Sequence, residues 1–213
     1  MKPTNKFMLS IINNQRGGIS IMLCSLIALV FCISAMVISI DFARISTQKN
    51  KIKNYLNNAL HAASLSIDEI SLSKGLVRLD ITTNGKKAQD MFYIYLRKNL
   101  HLDNNNKALA TSVLPTDSTV EVKELVYINY EDSILVNLLG GSTSCSYSSL
   151  GKSITCNITE NAGQPNEISR KITESIVGPS VVSIIAADHD GIGLLSDERL
   201  LITGVQELRF FKK

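Results

Sequence analysis

Residues 19–40 read ISIMLCSLIALVFCISAMVISI, a run of 22 residues with no charged residue and no proline. A helix rises about 1.5 Å per residue, so this run would span about 33 Å, enough to cross a hydrocarbon core of about 30 Å. A single segment that crosses lipid must satisfy its own backbone hydrogen bonds, and only a helix does so. The run therefore predicts a transmembrane helix over residues 19–40, preceded by a short polar tail over residues 1–18.

Two other interpretations of this run stay open. A cleaved secretory signal has an apolar core of about 7 to 15 residues and a small-x-small cleavage site. The run here is longer, and its best candidate cleavage site, Ile33-Ser34-Ala35, matches that pattern poorly. The other interpretation is a helix buried in the core of a soluble protein. We favour a retained anchor because of the length of the run.

Charge and composition narrow the classes of partner. The net charge is +3, and residues 1–40 carry three cations and no acid. The remaining residues hold 19 basic and 19 acidic side chains, there is no Trp, and aromatic residues make up 6% of the chain. Nucleic-acid binding needs a clustered basic face, so the composition predicts no nucleic-acid partner. Outside the tail and the run, enough chain remains for one domain with its own core, or at most for two small domains.

The segment 41–75 continues the helical pattern. It has no proline and no glycine before Gly75, and from Ile52 its apolar residues recur mostly every three or four positions. This spacing predicts a projecting amphipathic helix that ends near Lys74-Gly75, with a break near Ser64–Ser66 as the alternative. Its apolar stripe would pack on its own domain, or against copies of itself or partner subunits.

The remaining segment, 76–213, alternates between strand-like and helical patterns. We expect an α+β domain, mostly antiparallel, because strands dominate its second half. The predicted helix covers residues 86–100, after a short strand over 76–82 and before a polar loop over 101–112. Further strands are predicted within 118–132, 133–139, 153–160 and 177–187, with a last strand pair within 194–213.

The four cysteines fall into two pairs. Cys24 and Cys32 lie in the apolar run, where cysteine packs as a small apolar residue. Cys145 and Cys156 lie in a Ser/Thr/Gly-rich stretch flanked by strand-like sequence, which suits a disulfide that closes a small hairpin in an oxidising compartment. Two unpaired thiols are the alternative. A metal site would need more ligands than two sulfurs with no nearby histidine.

Catalytic signatures are missing from the sequence. It contains no phosphate-binding glycine loop, no HExxH and no GxSxG, and its three histidines are far apart. The sequence Asp188-His189-Asp190-Gly191, with Asp197 and Glu198 nearby, fits a solvated turn or a cation site, but not the register of an EF-hand. We therefore predict no enzymatic activity, no cofactor and no metal site.

The N-terminal region resembles a known family in the order of its short motifs. An Arg-Gly pair precedes the apolar run, an Asp closes it, a basic stretch follows, and an Asn-Ala-x-x-Ala-Ala-x-Leu sequence comes last. This order resembles TadE/TadG-like pilus-assembly proteins of the tight-adherence (Flp, type IVb) system, over about residues 15–66. The matching positions are Arg16, Gly17, Gly18, Asp41, Arg44, Asn58, Ala59, Ala62 and Ala63.

Two positions depart from the family pattern. His61 stands where the family often has Asp, and Leu23 stands where a processed pilin usually has Glu. The second departure favours an unprocessed, TadG-like accessory protein over a filament subunit. The resemblance implies a single-pass protein of the cell membrane, with a cytoplasmic N-terminus and an extracytoplasmic domain.

The expected function is that of a membrane-anchored accessory or structural component of a Flp/Tad-type pilus or related secretion apparatus. Its partners would be the lipid bilayer, other pilus or secretion subunits, and further copies of the same protein bound through the long helix. By analogy the fold would follow a pilin-like plan, with a long N-terminal helix laid on a sheet. A membrane-anchored extracytoplasmic domain that binds a ligand or acts as a hydrolase is the alternative.

Overall fold

The described part of this protein contains one long helix, two shorter helices and two antiparallel sheets. The computed structural model describes residues 15–129, 133–160, 167–189 and 199–208. Helix α1 runs over Gln15–Ser64 without a break, so the apolar run and the amphipathic segment form one continuous element of 50 residues. The predicted polar tail lies mostly outside the described residues.

The helix ends at Ser64, earlier than the predicted boundary at residue 75. The chain turns there because the amide of Ser66 bonds to the carbonyl of Ala63, and Ile67 then pairs with Leu79 in an isolated antiparallel bridge. A separate short helix, α2, covers Glu69–Ser73. The alternative break near Ser64–Ser66 is therefore the correct one.

The predicted end at Lys74-Gly75 belongs to α2. Its N-cap is Asp68, whose carboxylate accepts hydrogen bonds from the amides of Ile70 and Ser71. Lys74 is its C-cap, and Gly75 has φ +78°, a left-handed conformation that glycine adopts without a steric cost. The glycine therefore marks the end of a helix, but of a later helix than the sequence indicated.

The segment 76–82 is not the predicted strand. Its only ladder contact among the described residues is the bridge at Leu79. Asp80 accepts a hydrogen bond from the amide of Thr82, which starts a 3₁₀ helix over Thr82–Gly85. A side chain that bonds its own backbone in this way competes with strand pairing. Helix α3 then covers Lys86–Leu100, as predicted.

The described residues that follow form seven strands, and every pairing between these strands is antiparallel. They are β1 (Glu121–Asn129), β2 (Ile134–Asn137), β3 (Cys145–Ser148), β4 (Ser153–Glu160), β5 (Ile168–Ser175), β6 (Ser180–Ala187) and β7 (Leu200–Glu207). One sheet has the order β2-β1-β6-β7 and the other has the order β3-β4-β5. These elements confirm an α+β fold with a long N-terminal helix. In the region of the predicted last strand pair the described residues contain β7, and the rest of that region lies outside them.

The four-stranded sheet is the middle layer of three. Alternate residues of β1 point to opposite sides: Leu125 and Tyr127 pack with α1 and α3, whereas Val126 and Ile128 pack with the three-stranded sheet. β6 divides in the same way, and every residue in it is buried. A strand covered on both faces reads as a continuous apolar run. This explains the composition of SVVSIIAA over residues 180–187.

Candidate membrane anchor and its junction with the domain

The first half of α1 exposes its apolar side chains on all sides. Every residue from 21 to 40 is exposed, including large side chains such as Phe31 at 72% and Met22 at 75%. Among the parts of the chain that the structure describes, this is the one helix long and apolar enough to cross a membrane, judged by length and composition. In water such a surface would leave a large apolar area unburied, which soluble monomers rarely do.

Three serines within this half form the hydrogen bonds of their hydroxyl groups inside the helix. Ser25, Ser34 and Ser39 each donate to a backbone carbonyl three or four residues earlier, at 2.8–2.9 Å. An unpaired polar group costs several kcal/mol in hydrocarbon. These hydroxyls therefore meet the requirement that lipid would impose on them.

The second half of α1 is covered on one side by the domain. Ile52, Leu56 and Leu60 are fully buried in the core that also contains α3 and the helix-facing side of the large sheet. β7 packs closely against this half of α1. An added Cβ at Gly204, which lies on β7, would be 2.6 Å from Leu60 Cδ1 and 3.0 Å from Leu56 Cγ. The apolar stripe from Ile52 onward therefore packs on its own domain.

The residues that carry the family resemblance are distributed along the whole helix. Ala59, Ala62 and Ala63 are buried against the domain, where small side chains permit close packing, and Asn58 is exposed. Asp41 is buried and Arg44 is exposed. Gly18 has no heavy atom within 4 Å of an added Cβ. Arg16 and Gly17 lie in the first turns of α1. No single site brings these positions together.

A groove lies where α1 passes from its exposed half to its buried half. It has a volume of about 500 Å³ and is lined by Ile40, Ala43, Arg44, Thr47, Gln48, Lys51 and Val113. The side-chain amide of Gln48 donates to the carbonyl of Val113 at 2.9 Å, which joins the loop before β1 to the helix. None of the residues predicted from sequence motifs, apart from Arg44, lines this groove. In the sequence, the groove is indicated by polar residues at positions 44, 47, 48 and 51, which lie on one face of the helix.

Cys145 and Cys156 are joined by a disulfide. They are directly opposite each other in the antiparallel pair of β3 and β4, so the bond closes the hairpin between these strands. Both are buried between the two sheets. The other two cysteines, Cys24 and Cys32, are free and exposed on the apolar half of α1.

A buried carboxylate holds the hairpin against the large sheet. Glu124 lies on β1 beside an irregularity in the ladder to β6, and it accepts hydrogen bonds from the Thr143 hydroxyl, the Ser144 hydroxyl and the Ser144 amide. Thr143 in turn accepts from the amide of Cys145 at 3.0 Å. A carboxylate with these partners is satisfied despite its burial. Its role here is to position the second sheet.

Among the described residues outside the apolar half, three groups have a shifted pKa, and they lie on separate elements. The hydrogen bond from Ser71 lowers the pKa of Asp68, the N-cap of α2. Burial raises the pKa of Tyr93 on α3. For Glu121, burial raises the pKa, but hydrogen bonds from Lys123 and Arg199 outweigh it and hold the pKa below its usual range. Each shift has a local structural cause.

The histidines do not converge with acids in the described parts of the chain. His61 is exposed on α1 and His101 is the left-handed C-cap of α3, whereas His189 is buried. Asp188 accepts a hydrogen bond from Arg199 at 3.0 Å, and the other acids of the predicted cation turn, residues 190, 197 and 198, lie outside the described residues. Among described residues no group of three His, Cys, Asp or Glu side chains is placed to hold a metal ion.

Comparison with protein-family models, with curated proteins and with solved structures gives no match for this chain.

Proposed function

We propose that this protein is a single-pass membrane component of a Flp/Tad-type pilus or a related secretion apparatus. It acts as a structural or accessory subunit and has no catalytic role. Residues 19–40 anchor it in the bilayer, and the domain that follows is held next to the membrane on the extracytoplasmic side.

The observation that carries the proposal is the contrast in exposure along α1. The apolar half has no covering element among the described residues, although the other half is fully covered on its apolar side. A lipid bilayer is the environment in which such an exposed apolar helix is stable. The remaining support is the resemblance of residues 15–66 to TadE/TadG-like proteins, and the cysteine pair Cys145–Cys156, which suits an oxidising compartment.

The pilin-like plan belongs to the same proposal. A long N-terminal helix that packs its second half on an antiparallel sheet leaves its first half free to contact lipid and neighbouring subunits. Because the stripe from Ile52 is covered by the domain, self-association would use the apolar half. Small residues there, such as Ala28 and Ala35, would let two helices approach closely.

A photo-crosslinking residue at an exposed helix position tests the docking. We expect such a residue at Phe31 to form adducts with a pilus-assembly or secretion subunit, identified by mass spectrometry, in the source organism. The matched control is Leu56, which is buried, and where we expect links within the chain alone. Deletion of the gene is expected to remove surface pili, and the full chain should restore them.

Two results would overturn the proposal. One is a deletion strain with normal surface pili, together with adducts at Phe31 that contain no assembly subunit. The other concerns orientation: a reporter fused after Lys213 is expected to be active outside the cytoplasm. A cytoplasmic signal from this fusion would reverse the proposed topology.

A further inference from the structure

The groove at the junction of the two halves of α1 has the composition of a site for an anion. Two cations, Arg44 and Lys51, line it together with Thr47 and Gln48, and none of its described lining residues is acidic. The remaining lining residues on the helix are apolar, and they lie toward the exposed half. The groove therefore has a charged part and an apolar part, in a fixed order along α1.

The helix places both cations on one face. Arg44 and Lys51 are seven residues apart, which is about two turns, so they lie one above the other. Lys49 and Lys53 are each two residues from Lys51, about 200° around the helix, and they do not line the groove. The basic residues after the apolar run are thus divided between two faces, and one face alone has a wall opposite it.

The wall of the groove is held in place by hydrogen bonds. Gln48 donates to the carbonyl of Val113 at 2.9 Å. The hydroxyl of the preceding Ser112 donates to the carbonyl of Leu100 at the end of α3, and Leu114 is buried in the core. These contacts tie the loop that forms the wall to both helices and to the core.

Position along the helix selects the source of the anion. Arg44 follows the last residue of the apolar run by four residues, about 6 Å, whereas the headgroup layer on each side of a bilayer is about 5 to 8 Å thick. Side chains on a helix lean toward its N-terminus, which for Lys51 is the direction of the apolar run. Arg44 therefore lies at the level of lipid phosphates, whereas Lys51, about 16 Å beyond the run, reaches back toward them from above.

We propose that this groove binds the headgroup of an anionic phospholipid, with the phosphate at Arg44, Lys51 above it toward the outer part of the headgroup, and the acyl chains along Ile40 and Ala43. This inference rests on the proposed insertion of residues 19–40 in a bilayer. Occupation of the groove sets the depth and rotation of α1 relative to the membrane surface, and thereby the position of the domain above it. Headgroup binding uses no residue of the buried stripe.

The test uses the full chain in nanodiscs of phosphatidylcholine, alone or mixed with phosphatidylglycerol. Native mass spectrometry of the released protein measures retained phosphatidylglycerol, and a titration gives its affinity. We expect Arg44→Gln/Lys51→Gln to weaken binding roughly 30-fold, the fold-change for two cations that contribute about 1 kcal/mol each. The matched control, Lys49→Gln/Lys53→Gln, has the same net charge and should bind like the unmodified chain.

Four outcomes overturn the proposal. Equal losses in the two double variants would show attraction to basic residues in general, without a site. Displacement of the lipid by soluble glycerol phosphate at similar concentration would show a site for free anions. A chain that enters nanodiscs but retains both lipids equally would refute the headgroup site and leave the membrane anchor intact, whereas a chain that stays outside nanodiscs would refute both.

Discussion

The two halves of α1 carry similar apolar side chains in different surroundings. From residue 21 to residue 40 all side chains are exposed, whereas Ile52, Leu56 and Leu60 are fully buried. The first half is apolar on every face, and the second alternates its apolar stripe with Lys, Asn and Gln. A helix that is apolar all round needs an apolar solvent or a large core, whereas a striped helix needs a single covering surface.

This difference shows that the two halves of one continuous helix need different surroundings. The domain covers only the striped half, through α3 and through β7 at Gly204. Changes in the first half should therefore alter membrane association and leave the domain folded. Changes in the buried stripe of the second half should do the reverse.

The strongest test of this division places two charges in the middle of the apolar half. We expect Leu29→Lys/Ile33→Lys to move the chain out of the membrane fraction that resists alkaline carbonate extraction, since each charge at the centre of a bilayer costs about 3 kcal/mol. The thermal unfolding of the domain should not change. Leu29→Val/Ile33→Val is the control and should stay in the membrane. A charged variant that remains in the membrane would break the comparison.

The reverse test removes a side chain from the buried half. Leu60 has 0% exposure, and we expect Leu60→Ala to lower the free energy of unfolding of the domain by about 2–5 kcal/mol because it leaves a cavity. Urea unfolding of the chain in detergent measures this, and membrane extraction should be unaffected. Leu65, just beyond the helix, is 63% exposed, so Leu65→Ala should change the free energy by less than about 0.5 kcal/mol.

A smaller effect is expected at the closest contact between α1 and the sheet. In Gly204→Ala the new methyl group would meet Leu60, Asn57 and Leu56 at 2.6–3.0 Å. The overpacked contact should cost about 1–3 kcal/mol of unfolding free energy. Gly178→Ala is the control, because nothing lies within 4 Å of its added Cβ. Equal stability of the two variants would mean that α1 sits less closely on β7.

Periodicity predicted the strongly patterned elements of this fold. Residues 86–100 form a helix as expected, and the alternating segment around residues 121–129 and the buried run around 180–187 form the two central strands. A strand that is buried on both faces has a nearly continuous apolar sequence, and residues 180–187 were predicted as a strand for this reason. The cysteine pair suggested a hairpin because both residues sit in strand-like sequence, and the structure joins them across β3 and β4.

Other elements depend on contacts that a linear pattern does not contain. β5 was missed because its half-buried positions carry Arg170 and Glu174 beside Ile172, so its alternation between faces is weak. The end of α1 at Ser64 is set by a bridge to Leu79 that the sequence does not indicate. Glu124 and the groove wall at Val113 both depend on long-range partners. Such pairings become visible only once the sheets are assembled.

The smallest predicted effect separates the two halves by their response to acid. Residues 21–40 contain no Asp, Glu, Lys, Arg or His, so membrane association through them should not depend on pH. The domain has Glu121, whose pKa lies below its ordinary value of 4.5 because hydrogen bonds from Lys123 and Arg199 outweigh the effect of burial. A lowered pKa in the folded state stabilises the fold above pH 4.5, and this contribution is lost as the pH falls through the folded-state pKa.

The variant Lys123→Gln isolates this contribution, because the Lys123 ammonium pairs with Glu121 Oε1 at 2.7 Å, whereas Arg199 also pairs with Asp188. Loss of the Lys123 pair should flatten the decline of domain stability below pH 4.5. The effect should stay below about 1 kcal/mol, since Glu121 is half-exposed and its ion pairs are screened by solvent. Chemical unfolding at a series of pH values measures it, with Lys107→Gln as the control, since Lys107 pairs with Asp117. If acid released the chain from membranes while the domain stayed folded, the apolar half would not be the anchor, because it has no group that acid could protonate in this range.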